Sequence, residues 1–481
     1  MSEFSEQLRE IIDQNNVKIY TLASQSGIDR TLIHKFLNGQ RMPTSESVVR
    51  KIAASLLLTP EDYKQLLQAY KITKMGKSVY SCRKLVMDFY NRFDPAPNVD
   101  IVYQSYPTKQ VLSTQSEIAV YGKPEVNQLV QDVLFSEASL DKGRIAIIAQ
   151  PEYSFLFEIM ALAGMQNSSL VIDHIICLEN SQDEYNALYN LKCLQAMMPI
   201  LVSGCAYRPK CYYDNVNAHF GQTNILPYII LTSSNVIRIS SDMSSALYSD
   251  CQQFIELYQK IFAKQQASCF QMAFNLRSIC GDVKYLKQMC SQSNFIEFYF
   301  SSDPYLLPYI DKKMLNPCVN SNTNSSAFPN ISEYLNYVRL KEFQASFNNV
   351  YFTKEGVDRF LATGKLTEPF CEYYSPIEIL DRYRVLQSMY DDAQKGIYHP
   401  LLIDNNKINI PANLSTYVIT GGITCFMLNS NLKLHKSFVV TEKSVFLSFK
   451  DFFTYLPESS MVYSFSDTMD FLKNKLDQGR K

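Results

Sequence analysis

The chain has no tryptophan, only five histidines, and no CxxC pair among its twelve cysteines. Metal sites built on clustered His and Cys are therefore not expected. Cys205 and Cys211 are the only near pair outside helical segments. In a chain of 481 residues without a signal peptide, the thiols read as reduced and mostly buried, which places the protein in the cytoplasm. No apolar run approaches the ~20 residues a membrane helix requires, so no membrane partner is expected. Charged residues are scarce at 19%, and 46 cations against 47 anions leave a net charge of −1. That balance draws the whole protein neither to nucleic acid nor to a lipid surface.

Catalytic signatures are missing too. There is no GxxxxGK[ST] phosphate loop, GxGxxG turn, GxSxG elbow or HExxH helix, so neither an enzyme nor a cofactor is expected. Leu434-His435-Lys436 is faintly similar to the His-x-Lys-x4-Asp motif of phospholipase D-like enzymes, which are internally duplicated. The spacing is wrong, and His219 in the other half lacks the lysine and aspartate, so at most an inert scaffold is implied. Gly421-Gly422 reads as a turn or bulge. Tyr207-Arg208-Pro209-Lys210-Cys211-Tyr212-Tyr213 mixes cations with aromatics and reads either as a solvated loop or as an anion-binding segment.

What the chain does have is concentrated at its start. In IYTLASQSGIDRTLIHKFLN (Ile19 to Asn38), Ala23 and Gly27 stand four apart and Ile33 follows the glycine by six. This spacing predicts two short helices crossing at a tight turn. A small residue sits at the contact, and a glycine supplies the positive φ. Ile28, Ile33 and Leu37 face inward, while Arg30, Thr31, His34, Lys35 and Asn38 share the outer side. Phe4, Leu8, Ile11 and Ile12 predict a preceding helix. Thr44 or Ser45 caps a fourth, and Thr59-Pro60-Glu61-Asp62 opens a fifth, ending near Tyr70.

Residues 4–70 resemble the Cro/cI-type (XRE family) helix-turn-helix domain of phage repressors and bacterial regulators. LAxxxGI (Leu22 to Ile28), Ile33, FLNG (Phe36 to Gly39), Pro43 and KIAASL (Lys51 to Leu56) carry the resemblance. It implies a DNA-binding transcriptional regulator working as a homodimer on an operator. It also implies that Arg30, Thr31, Leu32, His34 and Lys35 approach base edges, and that Lys18, Tyr20, Asn38, Gln40, Arg41 and Ser45 contact phosphates. Two positions depart from the family. Ile19 replaces the glutamine that opens the second helix, leaving Lys18 or Tyr20 to serve. Ile12 and Leu37 stand where the family often pairs Arg with Glu, exchanging an ion pair for packing.

The fold class expected is multidomain: an all-α five-helix DNA-binding domain at 1–76, then a connecting helix and linker at 77–98. A large mixed α/β body follows. Residues 1–76 carry ten cations and eight anions, so their DNA-facing charge must be local. Lys71 to Gly76 reads as a hinge, Val79 to Arg92 as a helix that either docks on the body or forms a dimer seam, and Asp94 to Asn98 as its end. In the body, Ile145 to Ala149, Leu170 to Leu178, Ile200 to Val202 and Phe295 to Phe300 read as strands. Tyr228 to Thr232 and Val236 to Ile239 read as a hairpin. Phe155 to Ala163, Glu184 to Met197 and Leu247 to Lys264 read as helices, with helix continuing to about Cys290.

Short strings also recur in order. LQAM (Leu194 to Met197) returns as LQSM (Leu386 to Met389), and PILV (Pro199 to Val202) as PLLI (Pro400 to Ile403). Thr232, Val236 and Asp242 match Thr441, Val445 and Asp451 in spacing. Either the body is a duplicated α/β module, 99–290 and 291–481, with the polar low-complexity loop NSNTNSS (Asn320 to Ser326) its best internal boundary by composition, or short apolar strings recur by chance. Aromatics at 13% promise an aromatic core or a ligand-stacking pocket. The body would sense a small-molecule or peptide effector or mediate assembly. An enzyme, or a peptide-binding regulator built from helical repeats, are the competing classes.

Overall fold

The computed structural model describes residues 2–93, 117–180, 187–221, 224–276, 296–314, 349–366, 375–428 and 437–479. The chain forms two compact units, Met1–Lys84 and Leu85–Lys481. Expectations for Asp94 to Asn98, the helix beyond Leu276, NSNTNSS and Leu434-His435-Lys436 lie outside the described residues, while the first part of the helix expected towards Cys290 is instead two strands, Phe270–Gln271 and Ala273–Leu276.

The first unit contains α1 (Glu3–Gln14), α2 (Ile19–Ser26), α3 (Arg30–Leu37), α4 (Glu46–Ser55) and α5 (Pro60–Met75). Apolar residues three and four apart put Phe4, Leu8, Ile11 and Ile12 into one core with Leu22, Ile33, Phe36, Val49, Ile52, Leu66 and Tyr70. Phe4 meets Phe36 and Tyr70 edge-on, at ring separations of 6.3 and 6.1 Å. Thr59 Oγ1 accepts from the Asp62 amide behind Pro60 and so fixes the start of α5. The expected hinge is shorter than its composition suggested. Lys71 to Met75 complete α5 because no breaker interrupts them, and Gly76 alone, at φ 88°, ends it.

A sixth helix, α6 (Lys77–Asn91), spans the division between the units. Its last residues belong to the second unit and dock there. Phe89 packs on Phe426 and Phe449, and the Tyr90 hydroxyl donates to Thr416 Oγ1 at 3.0 Å.

The second unit holds two mixed sheets. The first comprises β1 (Glu117–Tyr121), β2 (Arg144–Ile148), β3 (Val171–Leu178), β4 (Ala206–Tyr213), β5 (Tyr228–Leu231), β6 (Val236–Ile239), β7 (Ser245–Ser249) and β8 (Phe270–Gln271). Its spatial order is β1-β7-β6-β5-β2-β3-β4-β8. Its helices are α7 (Lys123–Ala138), α8 (Ser154–Gln166), α9 (Leu188–Leu201), α10 (Val216–Phe220) and α11 (Gln252–Ala267). The second sheet comprises β9 (Ala273–Leu276), β10 (Ile296–Ser301), β11 (Asn349–Phe352), β12 (Pro400–Leu402), β13 (Leu414–Ile419), β14 (Ile423–Leu428) and β15 (Ser437–Val440). It accompanies α12 (Lys354–Thr363), α13 (Ile379–Gln394), α14 (Lys443–Tyr455) and α15 (Phe465–Gly479). Its order is β12-β11-β10-β13-β14-β15-β9.

The two orders are the same path. Three parallel strands (β2, β3, β4 or β10, β11, β12) come first, and three antiparallel strands then return beside the first of them. The opening strand, β1 or β9, pairs antiparallel with the last. Because β9 belongs to the second sheet, that sheet begins before the boundary expected at 290/291.

Several sequence expectations need correction. Ile200 to Val202 is not a strand: α9 runs through Pro199 to Leu201, and β4 starts only beyond Gly204, at φ 98°. The helix is buried on nearly every side, and that continuous apolar run imitates a strand. Leu247 opens no helix but lies in β7, and α11 starts at Gln252. Tyr207 to Tyr213 is not a solvated loop but β4, with Arg208 3.9 Å from Asp173 and Lys210 Nζ donating to the Gln266 carbonyl. Gly421 and Gly422, at φ 89° and 88°, lie in the three-residue turn, Thr420 to Gly422, that joins β13 to β14.

Within β3 of the first sheet, His174 is fully buried. Its Nε2–H donates to the Ala149 carbonyl at 3.2 Å, so Nδ1 accepts from the Tyr207 hydroxyl at 2.7 Å. Burial pushes its pKa down to about 4, opposed only in part by the carbonyl. In the unfolded chain the ring takes up a proton near pH 6.5, while the folded ring refuses it until about 4. The stability from this site is thus complete above 6.5 and is lost as pH falls through that window. Between pH 7 and 5 we expect the body's denaturant transition to lose about 2 kcal/mol through His174. His174→Gln should be less stable at pH 7 but correspondingly flatter. Equal slopes for wild type and variant would contradict this assignment.

Candidate nucleic-acid interface

The local chemistry of α2 and α3 fixes their crossing. Gly27 closes α2 at φ 66°, and a Cβ there would touch nothing within 4 Å, so backbone conformation alone calls for glycine. Asp29 then caps α3, its Oδ1 accepting from the amides of Thr31 (2.8 Å) and Leu32 (3.2 Å). These bonds, Leu32 first, hold the Asp29 carboxyl below its ordinary pKa. At the other end, Arg9 Nη2 donates to the Leu37 carbonyl at 3.0 Å and reaches Asn38 Oδ1 at 3.4 Å. The chain then folds back, since the Lys35 carbonyl accepts from the amides of both Gln40 and Arg41.

The expected site residues divide as follows. Arg30, Thr31, Asn38, Gln40 and Arg41 are exposed, while His34 and Lys35 are half-buried on the same helix. Ile33 and Leu37 are buried, and Ile28 packs against the core's edge. Leu32 also packs on that core, so its role is at least partly structural. Ile19 opens α2 and leans on the core, leaving Lys18 and a Tyr20 that is 73% exposed at that helix start. Ser45 precedes α4 but makes no cap, sharing its hydroxyl with Ser47 at 2.7 Å.

The charge is polarised. Lys18, Arg30, Lys35 and Arg41 against Asp29 give the helix-turn-helix segment its cationic character. Helix α1 instead carries Glu3, Glu6, Glu10 and Asp13 against Arg9. Residues 1–76, with ten cations against eight anions, thereby present one basic region suited to phosphates.

Residues 7–63 match the family model of the Cro/C1-type HTH DNA-binding domain. The first unit holds a Cro/C1-type helix-turn-helix domain. No curated protein matches the chain. One solved structure, described as that of TrmBL2, an archaeal chromatin protein with a novel mode of DNA binding, aligns at 12% identity. The alignment covers 48% of this chain and 72% of that one, with a TM-score of 0.22, too low to equate the two folds.

Two contributors to the Cro/C1-type domain went unread in the sequence. Asp29 was recognisable as a side-chain acceptor directly before a helix. Arg9 was not, because its acceptor is a backbone carbonyl 28 residues away. Ile12 and Leu37 are both packed in the core, and Arg9, one turn before Ile12, ties α1 to the end of α3. Asp29→Ala should lower the domain's melting temperature by about 4–8 °C, as loss of a helix cap does in a domain this small. Differential scanning calorimetry decides, and an unchanged transition would mean that the cap adds nothing.

Elsewhere, His219 on α10 pairs with Asp214 at 2.8 Å and lies edge-on to Tyr212. Among the described residues no group of three His, Cys, Asp or Glu side chains is placed to hold a metal. Of the eight described cysteines six are buried, Cys205 and Cys211 among them. No described helix is long and apolar enough to cross a membrane.

Proposed function

We propose that the protein is a sequence-specific transcriptional regulator that reads an operator through α3. The Cro/C1-type domain with its polarised charge carries this reading. In it Arg30, Thr31, His34 and Lys35 face base edges, while Lys18, Tyr20, Asn38, Gln40, Arg41 and Ser45 hold the phosphate backbone. The body joins two copies and senses an effector in the cytoplasm, without catalysing a reaction. Its two mixed sheets are unlike the stacked helix pairs of a repeat-built peptide receptor. A cavity of about 280 Å³ supports a small-molecule effector. It sets Phe89, Phe93 and Met198 beside Asp88, Arg92 and Gln195.

Selection of duplexes from a random DNA library by the full chain tests the proposal. One enriched motif with two similar half-sites about one helical turn apart is expected. Recovery of unrelated sequences would reduce the domain to a non-specific binder.

A further inference from the structure

One helix comes directly after the final strand of the path the two sheets share, α11 after β7 and α14 after β15. Their surroundings differ. Helix α14 buries Val445, Phe446, Phe449, Phe452 and Phe453, and Asn190 of α9 donates to Ser444 near its start. Helix α11 buries only Ile255 and Phe262. Phe254, Leu257 and Ile261 remain 44, 51 and 41% exposed. Single exposed apolar residues are ordinary, but three at spacings of three and four make a continuous stripe. Leu247 extends the patch. It is the cross-strand partner of Arg238, whose guanidinium lies over Tyr258 of α11, and it is 37% exposed on that face.

The charges beside the stripe select the occupant. Glu256, Lys260 and Lys264, all exposed, lie on one flank, while Tyr258 and Gln265 lie on the other. When two copies of a helix run antiparallel about a two-fold axis, like flanks meet. Glu256 of each copy then comes beside Lys260 of its mate, giving two reciprocal pairs. A parallel alignment brings the Glu256–Lys260 flank against the flank of Tyr258, which Arg238 covers, and offers neither pair.

We infer that α11 is where a second copy of this chain docks, the two helices packing antiparallel through Phe254, Leu257 and Ile261. The contact is isologous, so it closes at two copies. The inference deepens the proposed function by locating the surface that pairs two operator readers, and it is tested without DNA so that the two stand or fall separately.

Sedimentation equilibrium of the full chain should show a dimer. Leu257→Asp with Ile261→Asp should raise the dissociation constant at least ~100-fold without changing the circular dichroism spectrum, because both side chains are exposed. Glu256→Lys and Lys260→Glu should each weaken the dimer about five- to tenfold, and combining them should restore it. The charge exchange decides alone if the aspartates disturb folding. A monomeric wild type, a dimer indifferent to the aspartates, or a double exchange weaker than either single one would overturn the inference.

Discussion

Alanine at both Arg30 and Lys35 should weaken binding of the full chain to its selected duplex by about 10²–10³-fold at fixed salt, leaving the melting temperature nearly unchanged. Arg30 is the first residue of α3 and exposed, and half-buried Lys35 follows one turn and a residue later at the other edge of the outer face. A good side-chain contact to a base edge is worth about 1–3 kcal/mol against the wrong base, so two lost together fall in this range. Discrimination between the selected motif and a scrambled duplex should shrink by a similar factor. Lys18→Ala or Arg41→Ala should behave differently. Each should weaken all duplexes alike and reduce the salt slope by about one, as expected of a phosphate contact. Fluorescence anisotropy across a salt series separates the two behaviours. If Arg30 and Lys35 variants lost affinity equally for every sequence, α3 would be an electrostatic anchor and not the reader.

The N-terminal domain was legible because its determinants are local. Gly27, Thr59-Pro60 and the three-four spacing of Phe4, Leu8 and Ile11 each act within a turn or two of helix, and each appears where its chemistry requires. The body was legible only in part. Its strands are buried apolar runs, and so is α9, so that hydrophobicity alone could not tell Ile200 to Val202 from a strand.

The repeated strings show a subtler failure. The two sheets do follow one path, yet most of the recurring strings occupy different places on it. Thr232 follows β5 whereas Thr441 follows β15, and Asp242 sits in the β6–β7 turn whereas Asp451 lies within α14. PILV ends a helix and PLLI forms a strand. Only LQAM and LQSM correspond, on the helices preceding β4 and β12, where Leu194, Met197, Leu386 and Met389 are all buried. Short apolar strings report burial, not position. The order of strands is set by pairings tens of residues apart, for which one sequence carries no local mark.

The remaining expectation separates reading from joining. Residues 1–76 contain the whole core from Phe4 to Tyr70, so this piece should fold alone. Its removal from the chain breaks one exposed ion pair of that unit, Glu3 with Lys77, which contributes little. The piece offers one reading helix of eight residues and a small net charge, enough for one half-site. Joining two such readers turns the second binding event into an intramolecular one, a gain of about 10²–10⁴-fold when the spacing fits. The 1–76 piece should therefore be a monomer that binds the selected duplex about 10²–10⁴-fold more weakly than the full chain. On a duplex cut to one half-site the two proteins should bind alike, because the linked second reader then has nothing to grip. Sedimentation and anisotropy on both duplexes measure this directly. Equal affinities for the full two-half-site duplex would mean that the body does not pair the readers, and its function would then lie apart from DNA recognition.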